Sequence, residues 1–331
     1  MLDIAVIGAG RIGAIHAANV AAHPRAALTW VCDPVPGAAD RFVPLGAKAS
    51  IDPAAVIAAP DVDAVVICSP TPTHVDLILQ AVAAGKAVMC EKPVDLDVAR
   101  ARTCRDQVRA AGGTVMIGFN RRFDPTFAEV HARVQAGEIG TLEQLTITSR
   151  DPNPPTPAYV ATSGGMFRDM TIHDFDMARF FLGPIARVQA AGQNVVDPGI
   201  AAAGDIDAAA VLLTAASGAV GVILNDRRCA YGYDQRLEAF GSQGMLEGRN
   251  QQGTSVEAST ATYSGARNRV QDFFLQRYAD AYRLELDAFI TAVETGTTVS
   301  PDLTDGYEAL VLADAALRAA QTGVAVEIAS T

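Results

Sequence analysis

Leu2-Asp3-Ile4-Ala5-Val6-Ile7-Gly8-Ala9-Gly10-Arg11-Ile12-Gly13 opens the chain, an apolar run that enters G-x-G-x-x-G. The helix-like stretch AIHAANVAAH follows, then a second apolar run, Leu28-Thr29-Trp30-Val31-Cys32, closed by Asp33 20 residues after Gly13. A glycine triad alone is a weak signal, and an ordinary tight turn is the competing reading. Strand, triad, helix, strand and acid at these distances read as a dinucleotide-binding loop. Gly8 then allows the tight turn, Gly10 lets the backbone approach a pyrophosphate, and Gly13 lets the helix pack close to the strand. The first helical turn, with Arg11 and Ile12, offers N–H groups to the phosphates. Asp33 accepts from both adenosine ribose hydroxyls and repels a 2′-phosphate. No arginine follows at Pro34 or Val35, so the expected cofactor is NAD rather than NADP.

Outward from this loop, strands are expected at about 2–7, 27–32, 63–68, 87–90 and 114–118, and helices at about 11–22, 37–44, 53–58, 74–84 and 97–111. Continuous apolar runs alternating with helices predict a doubly wound α/β sheet, a Rossmann domain over residues 1–120. Ligands on such a sheet lie beyond the carboxyl ends of its strands.

After residue 120 the pattern changes to strand-like runs around 142–149, 185–195, 206–215, 219–225 and 235–241. Helices are expected at about 165–182, 271–295 and 304–322. Residues 121–331 therefore read as an α/β domain with an open, mostly antiparallel sheet, one face covered by helices and the other free for a partner subunit. Asp151-Pro152-Asn153-Pro154-Pro155-Thr156-Pro157 reads as a rigid loop, because its prolines lack N–H donors.

The net charge of −11 argues against nucleic-acid binding, and no apolar run approaches a membrane span. The N-terminus enters a strand at once, so no signal peptide is expected. Five cysteines form no C-x-x-C pair, which predicts a reduced, cytoplasmic protein with no metal site.

Three segments carry candidate chemistry. Ser69-Pro70-Thr71-Pro72-Thr73-His74 follows the third strand and is expected either to hold the nicotinamide half of the cofactor or simply to cap a helix through Thr71 or Thr73. Glu91-Lys92-Pro93 ends the fourth strand. Of 26 basic residues only three are lysines, so Lys92 at this place is a candidate donor to a substrate hydroxyl rather than surface filler. In Gly164-Gly165-Met166-Phe167-Arg168-Asp169-Met170-Thr171-Ile172-His173-Asp174-Phe175-Asp176, Asp169 and His173 are four apart, which places them on one helix face with Asp176 extending it. The pair suits general acid–base work; a core histidine with a helix ion pair is the competing reading.

These pieces resemble the glucose–fructose oxidoreductase and inositol dehydrogenase family. GAGRIG, CSPTPTH, GFNRRFDP, Glu91-Lys92-Pro93 and Asp169-x-x-x-His173 match its pattern over essentially the whole chain. GFNRRFDP, ITSRDP, SGGMFRDMTIHDFDMARF and YGYDQR are similar to the bacterial myo-inositol 2-dehydrogenases within it. The resemblance implies reversible NAD-dependent oxidation of a ring secondary alcohol, here myo-inositol to scyllo-inosose. It makes Lys92, Asp169 and His173 the catalytic set. It adds Ser69, Thr71, His74, Glu91, Lys92 and Asn120 to the cofactor contacts, and Arg121 and one of Tyr231 or Tyr233, Tyr233 preferred, to the substrate contacts. It also implies a homo-oligomer, dimer or tetramer, paired through the C-terminal sheet, and a cis peptide before Pro93. Family members often read P-T-D-T-H where this chain has Pro72 in place of the acid. Dehydrogenases of another inositol isomer or sugar derivative, an NAD-dependent glycoside hydrolase on the same fold, and a non-catalytic cofactor sensor are the alternatives.

Overall fold

The computed structural model describes residues 1–329. The chain divides into two compact units, Met1–Asn120 with Ala281–Val311, and Arg121–Asp280 with the chain from Leu312 onward. Residues 281–311, expected in the second domain, thus pack with the first.

The first unit is built from β1 (Leu2–Ile7), α1 (Arg11–Ala22), β2 (Ala26–Cys32), β3 (Lys48–Ser50), α2 (Pro53–Ile57), β4 (Ala64–Ile67), α3 (His74–Ala83), β5 (Ala87–Glu91), α4 (Val98–Ala111) and β6 (Val115–Gly118). Its strands form one parallel sheet in the order β3-β2-β1-β4-β5-β6. All four residues of β4 are completely buried, as the two-sided covering of a parallel sheet requires. The strand order reverses between β1 and β4, which puts the glycine turn, Asp33 and Ser69 around one crevice. The edge strand β3 is only Lys-Ala-Ser, two of its residues exposed, and its sequence carries no apolar run to announce it. The helix expected over 37–44 is instead a 3-10 turn at Asp40–Leu45 that contains Pro44.

The second unit comprises α5 (Pro125–Gln135), β7 (Leu142–Arg150), α6 (Pro157–Ser163), α7 (Met166–Asp169), α8 (Ile172–Leu182), β8 (Ile185–Gln193), α9 (Pro198–Ala202), β9 (Ala208–Ala215), β10 (Val220–Asp226), β11 (Asp234–Gly241), β12 (Gly244–Gly248), a small ribbon of β13 (Glu257–Ala258) and β14 (Ala266–Arg267), and α10 (Phe274–Arg277). The division between units falls within α11 (Ala279–Thr295) and α12 (Leu303–Thr322); β15 (Val326–Glu327) follows. The large sheet runs β12-β11-β7-β10-β9-β8-β15, with β7 and β10 parallel and every other pair antiparallel. Alternate residues of β9, β10 and β11 are buried, and α8 lies against β7 and β10 on that face. Leu212, Phe240 and Met245 stand exposed on the sheet.

Residues 281–311 belong to the first unit for visible reasons. Arg25 reaches both Asp287 and Glu294, each at 2.6 Å. Ile117 N–H donates to the Pro301 carbonyl at 3.0 Å, and a Cβ on Gly306 would lie 2.6 Å from the Val94 side chain. Among the described residues no helix is long and apolar enough to cross a membrane.

Candidate functional site

The glycine turn has the shape its sequence implies. Gly8 sits at φ +101, and a Cβ there would lie 2.6 Å from the Cys68 carbonyl group. A Cβ on Gly13 would fall 1.8 Å from the Gly8 carbonyl oxygen. Gly10 differs: nothing lies within 4 Å of its Cβ position, so the space above it is open. The first bond of α1 joins Ala14 N–H to the Gly10 carbonyl at 3.0 Å, which leaves the Ile12 and Gly13 N–H groups ahead of it, in the helix's anion-attracting first turn. Asp33 accepts from Ala9 N–H at 2.8 Å through Oδ2 and from Val35 N–H at 2.9 Å through Oδ1. Each carboxylate oxygen keeps acceptor capacity for a ribose hydroxyl. Open space over Gly10, the exposed helix start and the acid at the second strand's end fit NAD. Asp33→Ala is expected to weaken NAD and relax discrimination against NADP, read as the ratio of the two dissociation constants; a wild type that already prefers NADP would refute this role for Asp33.

Sequence reasoning missed Arg41. Its guanidinium donates to the Ala9 carbonyl and lies 3.4 Å from that of Gly10, bracing the turn from outside. A lone arginine in a short 3-10 segment carries no signal of this.

The turn after β4 is stiffened without capping α3. Ser69 and Thr73 share a hydrogen bond of 2.6 Å, Thr73 donates to the Pro70 carbonyl at 2.8 Å, and no side chain caps the helix. Pro72 fits the second position of the 3-10 turn Thr71–Thr73, where a missing N–H costs nothing. His74, expected among the cofactor contacts, is 1% exposed. Its ring nitrogens lie 2.8 Å from the Pro93 and Ser69 carbonyl oxygens, so it is a tie between two loops with no edge left for a cofactor. Burial pushes its ionisation below the ordinary histidine value, although the two carbonyls and the nearby Glu91 and Asp95 act the other way. Glu91 is likewise engaged: its carboxylate meets the buried His16 Nε2 at 2.8 Å. Lys92 follows at the end of β5, partly exposed, and the Lys92–Pro93 peptide is cis. Asn120 is buried at the last position of the first unit's leading segment.

In the second unit Asp169 and His173 do not share one regular helix. Asp169 ends α7 and His173 lies in the first turn of α8. Between them Thr171 N–H reaches back five residues to the Met166 carbonyl at 3.0 Å, a widened turn, while the Thr171 hydroxyl donates to Asn225 at 2.7 Å. The tie to β10 bends the segment between Asp169 and His173. Gly164 and Gly165, each at φ +84, let the chain turn into α7. Thr156 caps α6 and Pro157 takes its first position, so the rigid loop ends one residue before its last proline.

Arg121, Asp176 and Tyr231 are held by other side chains, and Tyr233 is packed among aromatic rings. Arg121, buried, donates to Ser149 at 2.8 Å and Asp174 at 2.5 Å, so its charge is matched inside the protein. Asp176 accepts two bonds from Arg122, at 2.8 and 2.6 Å. Tyr231 donates to Asp234 at 2.5 Å and accepts from Arg150 at 3.0 Å. Tyr233 is buried among Phe273 and Tyr278, with ring centroids at 6.2 and 6.0 Å, and burial pushes its hydroxyl's ionisation upward.

Residues 2–119 match the model described as the oxidoreductase family with an NAD-binding Rossmann fold, and residues 127–247 match the GFO/IDH/MocA C-terminal domain. An inositol 2-dehydrogenase of Rhizobium meliloti is 48% identical over 95% of both chains. The crystal structure of a myo-inositol dehydrogenase from Corynebacterium glutamicum superposes with a TM-score of 0.96 at 48% identity, covering all of both chains. That of a scyllo-inositol dehydrogenase from Lactobacillus casei, with bound NAD(H) and scyllo-inositol, superposes at 0.91 with 30% identity, again over all of both chains. With the glycine turn, Asp33 and the full-length likeness in place, the chain belongs to the GFO/IDH/MocA family of NAD-binding oxidoreductases.

Proposed function

We propose that this enzyme oxidises myo-inositol to scyllo-inosose with NAD. The observation that carries the reading is the full-length likeness to inositol 2-dehydrogenases. NAD, when bound, accepts the hydride from the carbinol carbon. Lys92 binds and polarises the reacting oxygen. His173 takes the hydroxyl proton as the ketone forms, and Asp169 holds a ring hydroxyl or His173. Tyr233 donates a further hydrogen bond to substrate. The first unit serves the cofactor; the second serves substrate and oligomer. The exposed Leu212, Phe240 and Met245 support pairing of two copies through the large sheet. The five free cysteines support a reducing, cytoplasmic setting.

A second reading, preference for scyllo-inositol, is favoured by the Lactobacillus casei likeness. NADH formation from NAD with myo-inositol, scyllo-inositol, D-chiro-inositol and glucose in parallel decides between them. The expected result is a clear preference for myo-inositol. Preference for scyllo-inositol would overturn the substrate, and silence on all four would overturn the polyol class.

A further inference from the structure

Asp169 is held by two residues to which no role has yet been attached. Tyr159, on α6, donates its hydroxyl to Asp169 Oδ1 at 2.8 Å. Arg227, just beyond β10, brings its guanidinium to 3.7 Å from Asp169 Oδ2 and 3.5 Å from Asp205 Oδ2. The Arg227 side chain is 1% exposed, so its cation is almost wholly removed from water and depends on these two carboxylates. Its backbone is anchored by donation to the Asp207 carbonyl at 2.8 Å. Asp205 is occupied twice, since its Oδ1 also accepts Met166 N–H at 3.0 Å at the start of α7. The sheet end and a separate short helix therefore converge on one carboxylate.

We infer that Arg227 and Tyr159 are positioning residues for Asp169, holding its two oxygens from different elements so that the carboxylate stays aimed for the polyol reaction. The inference rests on the dehydrogenase reading for what Asp169 does, not for the contacts that hold it. An arginine suits the task because it never loses its proton, so the field it imposes does not change with pH. Tyr159 adds a neutral donor; burial, the Asp169 charge and the bond to it all keep its hydroxyl protonated. The charged groups at this corner are Asp169, Asp205 and Arg227, with Asp151 acting on Tyr159 as well. Arg168, next in sequence, is paired with Asp314 at 2.8 Å.

The test compares Arg227→Gln, Arg227→Lys and Tyr159→Phe in the full-length enzyme with NAD and the best polyol. Arg227→Gln is expected to lower kcat about 100-fold, as misplacement of a catalytic group does. KM for NAD should stay within about twofold, because that site is untouched. Tyr159→Phe should lower kcat about tenfold, the loss of one bond to a charged group. Removing the Arg227 cation leaves the Asp169 charge uncompensated, which favours protonated His173 four residues on. The acid limb of kcat/KM should therefore move to higher pH in Arg227→Gln and stay in place in Arg227→Lys, a difference that a merely structural role would not produce. Histidine-ring NMR titration, with His173→Asn to assign the signal, reads the same shift without turnover. A folded Arg227→Gln with wild-type kcat, acid limb and ring titration would overturn the inference. If Arg227 variants do not fold, Tyr159→Phe decides: wild-type kcat and ring titration there would overturn it. If the wild type makes no NADH from any polyol, the reading of function fails while the ring titration still judges the inference.

Discussion

His173→Asn is expected to lower kcat for polyol oxidation by about 10²–10⁴-fold, the usual contribution of a positioned acid–base group. The amide cannot accept and release a proton near neutral pH, whereas imidazole can. In the wild type kcat/KM should rise from acid toward alkaline pH as His173 loses its proton, because only the neutral ring can take the hydroxyl proton. That limb should vanish from the residual activity of the variant. NAD affinity should be unchanged, since the glycine turn and Asp33 are left as they are in the variant. Steady-state kinetics between pH 5 and 10, with circular dichroism to confirm folding, make the check. A folded variant with near wild-type turnover would remove His173 from the mechanism and leave Lys92 as the proton acceptor.

Asp174→Ala should cost the second unit about 3–5 kcal/mol, the usual result of stripping one partner from a buried ion pair. Asp174 is fully buried and accepts from Arg121 at 2.5 Å, Ser149 at 2.7 Å and Asn225 at 2.8 Å. Three elements thus meet on one carboxylate: β7 through Ser149, β10 through Asn225, and the chain leading into α5 through Arg121. Alanine would leave the Arg121 cation buried, with Ser149 and the face of Tyr278, 5.7 Å away, as its remaining partners. Differential scanning calorimetry should show the transition that contains this unit falling by about 10 °C. A midpoint within about 1 °C of wild type would mean that water enters and rescues the arginine.

Arg121 and Asp176 are paired with other side chains for the same reason that the ion pairs are stable. A charged residue beside catalytic motifs reads as a ligand, yet Asp174 and Asp176 lie on the buried part of α8, where each carboxylate must find a cation from the protein. Arg121 and Arg122 are those cations. Spacing shows which residues share a face; it does not show whether the face looks into a core or a cleft. His74 teaches the same lesson, since a histidine after a strand end looks like a cofactor contact until both ring nitrogens are seen at backbone carbonyls.

The helix expected across 165–182 shows a different limit. Apolar periodicity runs through Met166–Leu182, but Thr171 is tied to Asn225, 54 residues away, and the turn widens around it. Nothing local marks that contact. Likewise β3, β12 and β15 are short edge elements whose pairing, not their apolar content, makes them strands.

The sequence by itself determined the parallel sheet, the glycine turn with Asp33 and the largely antiparallel second sheet. Each rests on short-range rules: period, turn stereochemistry and the steric demands of Gly8 and Gly13. Only the tertiary structure decided that 281–311 joins the first unit, that Arg41 braces the glycine turn, and that Arg227 and Tyr159 hold Asp169. Those facts depend on which distant side chain meets a buried charge, and a desolvated charge takes its partner from wherever the fold brings one.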